Sequence, residues 1–278
     1  MTKYSRSTSL NHKGDKTDQK LTQAIFKKAE SLGADLVGAC ARAQMKKYPG
    51  AEEEIKKIDS KAKSILVYGV RMVSSSIACA SENIRIPQFS TRLLYDELSR
   101  LGFSLMKKLD DLGFSASPLP TYLPVPMKQE TKGMVAELSL RHIAYEAGLG
   151  TMGKNRLLIT RQFGPRVRFG AILTDAPLSA GKPASENFCN ECDLCVEACP
   201  TGALGKSGEE AIMLCARNHL KYGLPGLTRF AIKLVKAKTD EEKIDLVRSP
   251  EFWEYWQNLN TGVFYYCFSC LNACPIGK

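Results

Sequence analysis

Residues 189–200 read Cys189-Asn190-Glu191-Cys192-Asp193-Leu194-Cys195-Val196-Glu197-Ala198-Cys199-Pro200, a C-x2-C-x2-C-x3-C-P run. This is the spacing at which cysteines hold a pair of [4Fe–4S] clusters, the fourth Cys ligating the other cluster. Three thiolates set three residues apart can wrap one corner of a cubane. The fourth points away, and Pro200 turns the chain out of the loop. Such a run predicts a partner run, and Cys267-Phe268-Ser269-Cys270-Leu271-Asn272-Ala273-Cys274-Pro275 repeats its second half.

Cys215 lies between the two runs and supplies the remaining ligand. Two clusters need eight thiolates, and the positions are Cys189, Cys192, Cys195, Cys199, Cys215, Cys267, Cys270 and Cys274. The crossed assignment gives Cys189, Cys192, Cys195 and Cys274 to one cluster. Cys199, Cys215, Cys267 and Cys270 hold the second. Zinc usually takes paired CxxC knuckles, four ligands to a site, which a triple run ending in CP does not resemble. Disulfides need an oxidising compartment. Cys40 and Cys79 stand alone and read as core residues.

The chain has 278 residues, 44% hydrophobic and 24% charged, the composition of a soluble globular protein with one large or two modest domains. No apolar run approaches the ~18 residues that would span a bilayer. The first residues are polar and basic, without the apolar stretch of a secretory signal or a twin-arginine pair. They read as a disordered tail over 1–18, and a cytoplasmic location without membrane contact is expected. The net charge is +10. Two clusters, each −2 with its thiolates, would bring this to about +6. The remainder fits an anionic partner or simply a solvated basic surface.

Periodicity divides the rest. A helix is expected over 18–33 and short strands over 35–40 and 64–70, with a charged helix over 52–62 between them. Residues 72–88, rich in Ser and Ala, read as a loop over a site. Leu94, Leu98, Leu101, Leu105 and Leu109 mark a long helix over 91–113. A strand over 114–117 leads into a proline-rich connector, 118–126. A helix over 135–147 stops at Gly148, and the glycine-rich loop 148–155 follows. Strands are expected over 156–160 and 167–174, with a turn between. This alternation reads as an α/β (α+β) domain over 19–180. A two-cluster domain follows over 181–278, with a mostly helical insert at 216–266. Phe252, Trp253, Tyr255 and Trp256 in that insert read as packing before substrate platform.

The ordered set Gly148-Leu-Gly-Thr-Met-Gly-Lys-Asn155, Phe163-Gly-Pro-Arg-Val-Arg168 and Thr174-Asp-Ala-Pro-Leu178, just before the cysteine run, resembles the cobalamin-dependent iron–sulfur reductases. These include the epoxyqueuosine reductases and the reductive dehalogenases. The resemblance covers roughly residues 20–215 and 267–275 and implies a nitroreductase-like cobalamin domain joined to a bacterial-ferredoxin-like domain. Electrons would pass from a donor such as ferredoxin or flavodoxin through both clusters to cobalt. Gly150, Met152, Gly153, Lys154, Asn155, Arg166 and Arg168 are the expected cofactor contacts: glycines for close approach, the others for propionamide or phosphate groups. An ordinary helix C-cap and turn is the other reading of the glycine loop, and a flavin is the other occupant of the fold.

The chain departs from this family at the proton donor. Epoxyqueuosine reductases carry an Asp before the glycine loop, where this chain has Gly133-Met-Val-Ala-Glu137. Glu137 is one replacement, its alternative role being a first-turn helix acid. Tyr122 is the other, since dehalogenases use a Tyr. The reading is a reductase of a small organic substrate. A non-catalytic electron carrier or corrinoid-handling partner, and a tRNA-binding protein, are the alternatives.

Overall fold

The computed structural model describes residues 17–128, 135–221, 223–262 and 267–278. Most of the expected tail, and Gly133 and Met134, lie outside the described residues. Asp18 is not part of a tail: its carboxylate caps the first helix by accepting from Leu21 N at 2.9 Å.

In chain order the elements are α1 (Gln19–Ser31), β1 (Leu36–Ala41), α2 (Arg42–Met45), α3 (Ala51–Ile58), β2 (Ser64–Arg71), α4 (Ser74–Ala78), α5 (Arg85–Asp111), β3 (Ser117–Leu119), α6 (Leu140–Glu146), β4 (Thr151–Met152), β5 (Leu158–Ile159) and β6 (Val167–Thr174). There follow α7 (Leu194–Glu197), α8 (Gly208–His219), α9 (Leu224–Lys236), α10 (Asp240–Arg248), α11 (Pro250–Thr261) and α12 (Ser269–Ala273). The segment 72–88 is thus not a loop. It holds α4 and the first turn of α5, whose Ser and Ala residues lack the apolar period that would announce a helix. The expected helix over 135–147 is shorter, beginning only after Ser139, which caps it.

The described residues form a four-stranded antiparallel sheet in the order β1-β2-β6-β3. Alternation along β2 and β6 builds two cores. Ile65 and Val67 with Phe169, Ala171 and Leu173 face α2, α3 and α6, meeting Met45, Ile55 and Ile143. Leu66 and Tyr68 with Ile172 face α1 and α5, meeting Ile25, Ala29 and the leucine stripe of α5. Phe268 and Leu271, from the last cysteine segment, join this second core. The cysteine-rich part is therefore seated on the sheet through buried side chains. The insert packs on itself through Phe230, Phe252 and Tyr255, while Trp253 and Trp256 are about half exposed. Arg92 of α5 donates to Thr261 O at 3.0 Å and holds its end.

Tyr68 shows how closely helix and sheet meet. A Cβ on Gly102 of α5 would stand 2.1 Å from its hydroxyl, and one on Gly170 of β6 would stand 2.5 Å from its ring. With both sides closed, the ring cannot retreat. Gly102→Ala should therefore destabilise the protein by about 1–3 kcal/mol through overpacking, reversing the gain of up to ~1 kcal/mol that alanine brings to a helix interior. A denaturant titration against wild type checks the sign.

Candidate iron–sulfur site

The first cysteine loop is built on the glycine-rich segment. Thr151 Oγ1 in β4 accepts from Phe188 N at 2.9 Å and donates to Asn187 Oδ1 at 3.1 Å. That same oxygen accepts from Cys189 N at 3.1 Å. Lys154 pairs with Asp193 between the second and third cysteines. Arg161 pairs with Glu186 at 2.5 Å on the approach to the loop. Glu191 and Asp193 sit at φ 54° and 63°. Two left-handed non-glycine residues are costly, and here they curl the chain between Cys189 and Cys195.

The thiols interact electrostatically in two sets. Burial, then the charges of Cys189, Cys274 and Cys192, push the Cys195 thiol up. Cys274 is also raised, burial first, with Cys189 and Cys192 adding and Arg166 opposing. In the other set Cys215 is raised by burial and then by Cys267 and Cys199. Burial, with Cys267, Cys215 and Cys195, takes Cys270 up to about 12. Cys199 differs. Burial acts against it, but the N–H groups of Leu204, Thr201 and Ala203 and the Thr201 hydroxyl bring it below its usual range. Among the described residues no three such side chains converge tightly enough for a single metal ion. The Cys195–Cys270 interaction is where the two sets adjoin.

The residues expected to hold a cofactor are placed differently from one another. Gly148, at φ 79°, follows the C-cap Ala147, and a Cβ there would strike Lys182 O at 2.4 Å. Cβ atoms on Gly150 and Gly153 would each stand 2.5 Å from Ile159, on its carbonyl oxygen and its side chain respectively. These glycines admit the chain's own hairpin. Asn155 is buried and its Oδ1 accepts from Leu157 N at 3.1 Å. Lys154 is paired as above, and Met152 is partly exposed. Arg166 is buried, and its Nη1 donates to Leu271 O at 2.9 Å and Cys274 O at 3.0 Å. Arg168 lies by Cys270 and His219: its charge opposes the rise of Cys270 and, after burial, helps bring His219 down to about 4. Glu137 is half-buried and precedes α6, so it is not a first-turn helix acid. Tyr122 stacks on Tyr95 with ring centroids 5.2 Å apart.

Sequence reasoning missed Glu146. It is 1% exposed, accepts from the Tyr48 hydroxyl at 2.6 Å and pairs with Lys47 at 2.8 Å. Its position in an apolar helix face was the available signal.

The profile of the 4Fe-4S binding domain matches residues 184–205. An epoxyqueuosine reductase from Bacillus cereus is 36% identical over 119 residues, covering 42% of this chain and 27% of that protein. A tetrachloroethene reductive dehalogenase from Desulfitobacterium hafniense is 28% identical over 192 residues, covering 66% of this chain and 28% of that protein. The chain is similar over part of its length to these iron–sulfur reductases. An epoxyqueuosine reductase solved with a tRNA stem loop matches 93% of this chain and 66% of that one, with a TM-score of 0.53 at 20% identity. A reductive dehalogenase, described for B12-dependent dehalogenation, matches 86% and 36%, with a TM-score of 0.55 at 17% identity. These likenesses show the shared fold: a mixed α/β part with a ferredoxin-like cluster part. The chain spans little more than a quarter of the length of the curated relatives. The flavin alternative finds no support among them. Among the described residues no helix is long and apolar enough to cross a membrane.

The two isolated cysteines part company. Cys40 is buried, and burial followed by the Glu146 charge pushes its thiol up to about 12. Cys79, expected in the core, is exposed on α4's end, its Sγ donating to Ser75 O at 3.2 Å. With clusters loaded, iodoacetamide at about pH 8 should label Cys79 and spare Cys40, because only the thiolate reacts. Raising the pH to about 10 should leave Cys40 unlabelled, since its thiolate is populated only towards pH 12. Peptide mass mapping reads both.

Proposed function

We propose that the chain is an iron–sulfur oxidoreductase with two [4Fe–4S] clusters. It takes single electrons from a ferredoxin or flavodoxin and delivers them to a cobalamin that reduces a small organic substrate. The observation that carries the two-cluster part is the cysteine spacing, a C-x2-C-x2-C-x3-C-P run at 189–200 within the 4Fe-4S match and a second C-x2-C-x3-C-P run at 267–275. Cys189, Cys192, Cys195 and Cys274 would hold one cluster, and Cys199, Cys215, Cys267 and Cys270 the other. The amides and hydroxyl around Cys199 favour its thiolate, the form that binds iron. Residues 19–180 would be the acceptor domain and 181–278 the electron-transfer domain.

The cobalamin part rests on the B12-dependent relative. Of the seven contacts named from sequence, four are already engaged by the chain's own groups. Gly150 and Gly153 are closed by Ile159, Lys154 is paired with Asp193, and Arg166 is tied to the last cysteine segment. Cobalamin, when bound, would supply a strongly reducing cobalt centre. Glu137 and Tyr122 are the proposed proton sources. Burial, then Tyr95, keep the Tyr122 phenol protonated well above its usual range.

The engaged donors favour a second reading, a non-catalytic carrier that reduces a corrinoid on another protein. A tRNA partner is a third, drawn from the relative solved with a tRNA stem loop and from the charge of +10. Anaerobic reconstitution with iron, sulfide and hydroxocobalamin separates the first two. About eight irons and one retained corrinoid per chain are expected. Eight irons without corrinoid would select the carrier, and a preparation holding no cluster would overturn both. Cys189→Ser and Cys215→Ser should each remove about half the iron. Binding to tRNA that weakens steeply with salt would bring in the third reading.

A further inference from the structure

Arg166 is the least ordinary side chain beside the cysteines. It is 2% exposed, ahead of the first residue of β6. Its backbone is fixed on both sides: its N–H donates to Phe163 O at 3.1 Å, and its carbonyl accepts from Met72 N at 2.7 Å. Its guanidinium donates to Leu271 O, Cys274 O and Ile276 O. Gly164 and Gly277 let the two backbones touch, since a Cβ on Gly164 would stand 2.0 Å from Ile276 O. Two features are left unexplained. Among the described residues Arg166 has no carboxylate partner, although an unpaired buried charge is expensive. Its Nε–H is also buried and has no acceptor.

Resting on the two-cluster reading, we propose that Arg166 is a positioning residue for the cluster held by Cys189, Cys192, Cys195 and Cys274. Its Nη groups lock the segment carrying Cys274, and its Nε–H donates to a sulfur of that cluster. The anionic cluster is then the missing counter-charge. The cluster's charge and the hydrogen bond account for both unexplained features at once. Removing a group that orients a metal ligand typically costs ~10–100-fold in metal affinity. Removing a positive charge and a hydrogen bond from a cluster also favours its oxidised state, which lowers its reduction potential.

The test uses the reconstituted full chain as wild type, Arg166→Gln and Arg166→Lys. Iron release to a chelator and an EPR-monitored redox titration are followed. In Arg166→Gln, about half the iron should leave at least ~10-fold faster, with the other half at the wild-type rate. The labile cluster should titrate at lower potential. Arg166→Lys, which keeps the charge but not the fork, should share the fast release while holding its potential nearer to wild type. If Arg166→Gln does not fold, Arg166→Lys decides alone. In a Cys274→Ser background, Arg166→Lys should add no further lability, because both act on one ligand. Wild-type release and potentials in the arginine variants would overturn the proposal, as would equal loss of both clusters. A wild type that binds no cluster fails at the two-cluster reading instead, before any variant is compared.

Discussion

The alternation of β6 governs the arrangement of everything around it. Val167, Phe169, Ala171 and Leu173 leave the strand on one side and close the core under α6. Arg168, Gly170 and Ile172 leave on the other, with Arg166 continuing the same phase just before the strand. That second side is where Phe268 and Leu271 pack. A single strand thereby joins the sheet to the cysteines, since a one-residue slip would exchange the two sets. Pairing with β2 along eight residues fixes the register. The arginines that reach Cys274 and Cys270 are delivered by that ladder and not by a flexible loop.

Thiolates gathered near one another are unfavourable without metal. Burial and mutual repulsion raise Cys195, Cys215, Cys270 and Cys274 together. Iron that binds the thiolates must pay for that deprotonation, and the binding free energy then becomes folding free energy. The left-handed Glu191 and Asp193 fit this picture, because the ion pair with Lys154 and the Thr151–Asn187 bonds already hold the loop in its curled form. The glycine-rich hairpin acts as the seat of the cysteine loop.

Much of this was legible in the sequence. Cysteine spacing depends on reach along the chain, so it needs no tertiary knowledge. The leucine stripe of α5 and the alternation of β6 follow from fixed periods of helix and strand. The segment 72–88 was not legible, because Ser and Ala carry neither period. The packing of the glycine loop was not legible for a different reason. A glycine shows that a Cβ is excluded, but not whether a ligand or the chain itself takes the space; here Ile159 and Lys182 take it. The partners of Arg166 were not legible either, since a guanidinium donates as readily to carbonyls of a distant segment as to a phosphate.

The helical insert poses a last question of order. Cys215 and Cys267 stand at its two ends, so on the two-cluster reading one cluster would close a loop of some fifty residues. Closing so long a loop costs only slightly more than closing a short one, because the entropy grows with the logarithm of length. What matters is that the ends arrive together. The aromatic packing among Phe230, Phe252 and Tyr255 lets the insert order itself. Arg92, reaching Thr261 O from α5, then sets its far end beside the sheet core. The insert is held where it meets α5, and the thiols of Cys267 and Cys270 interact with that of Cys215 on α8. On the two-cluster reading the second set adjoins the first at Cys195 and Cys270, and an electron would cross between the clusters there. The covalent order of the ligands would then impose a spatial order on that path, with β6 at its inner end.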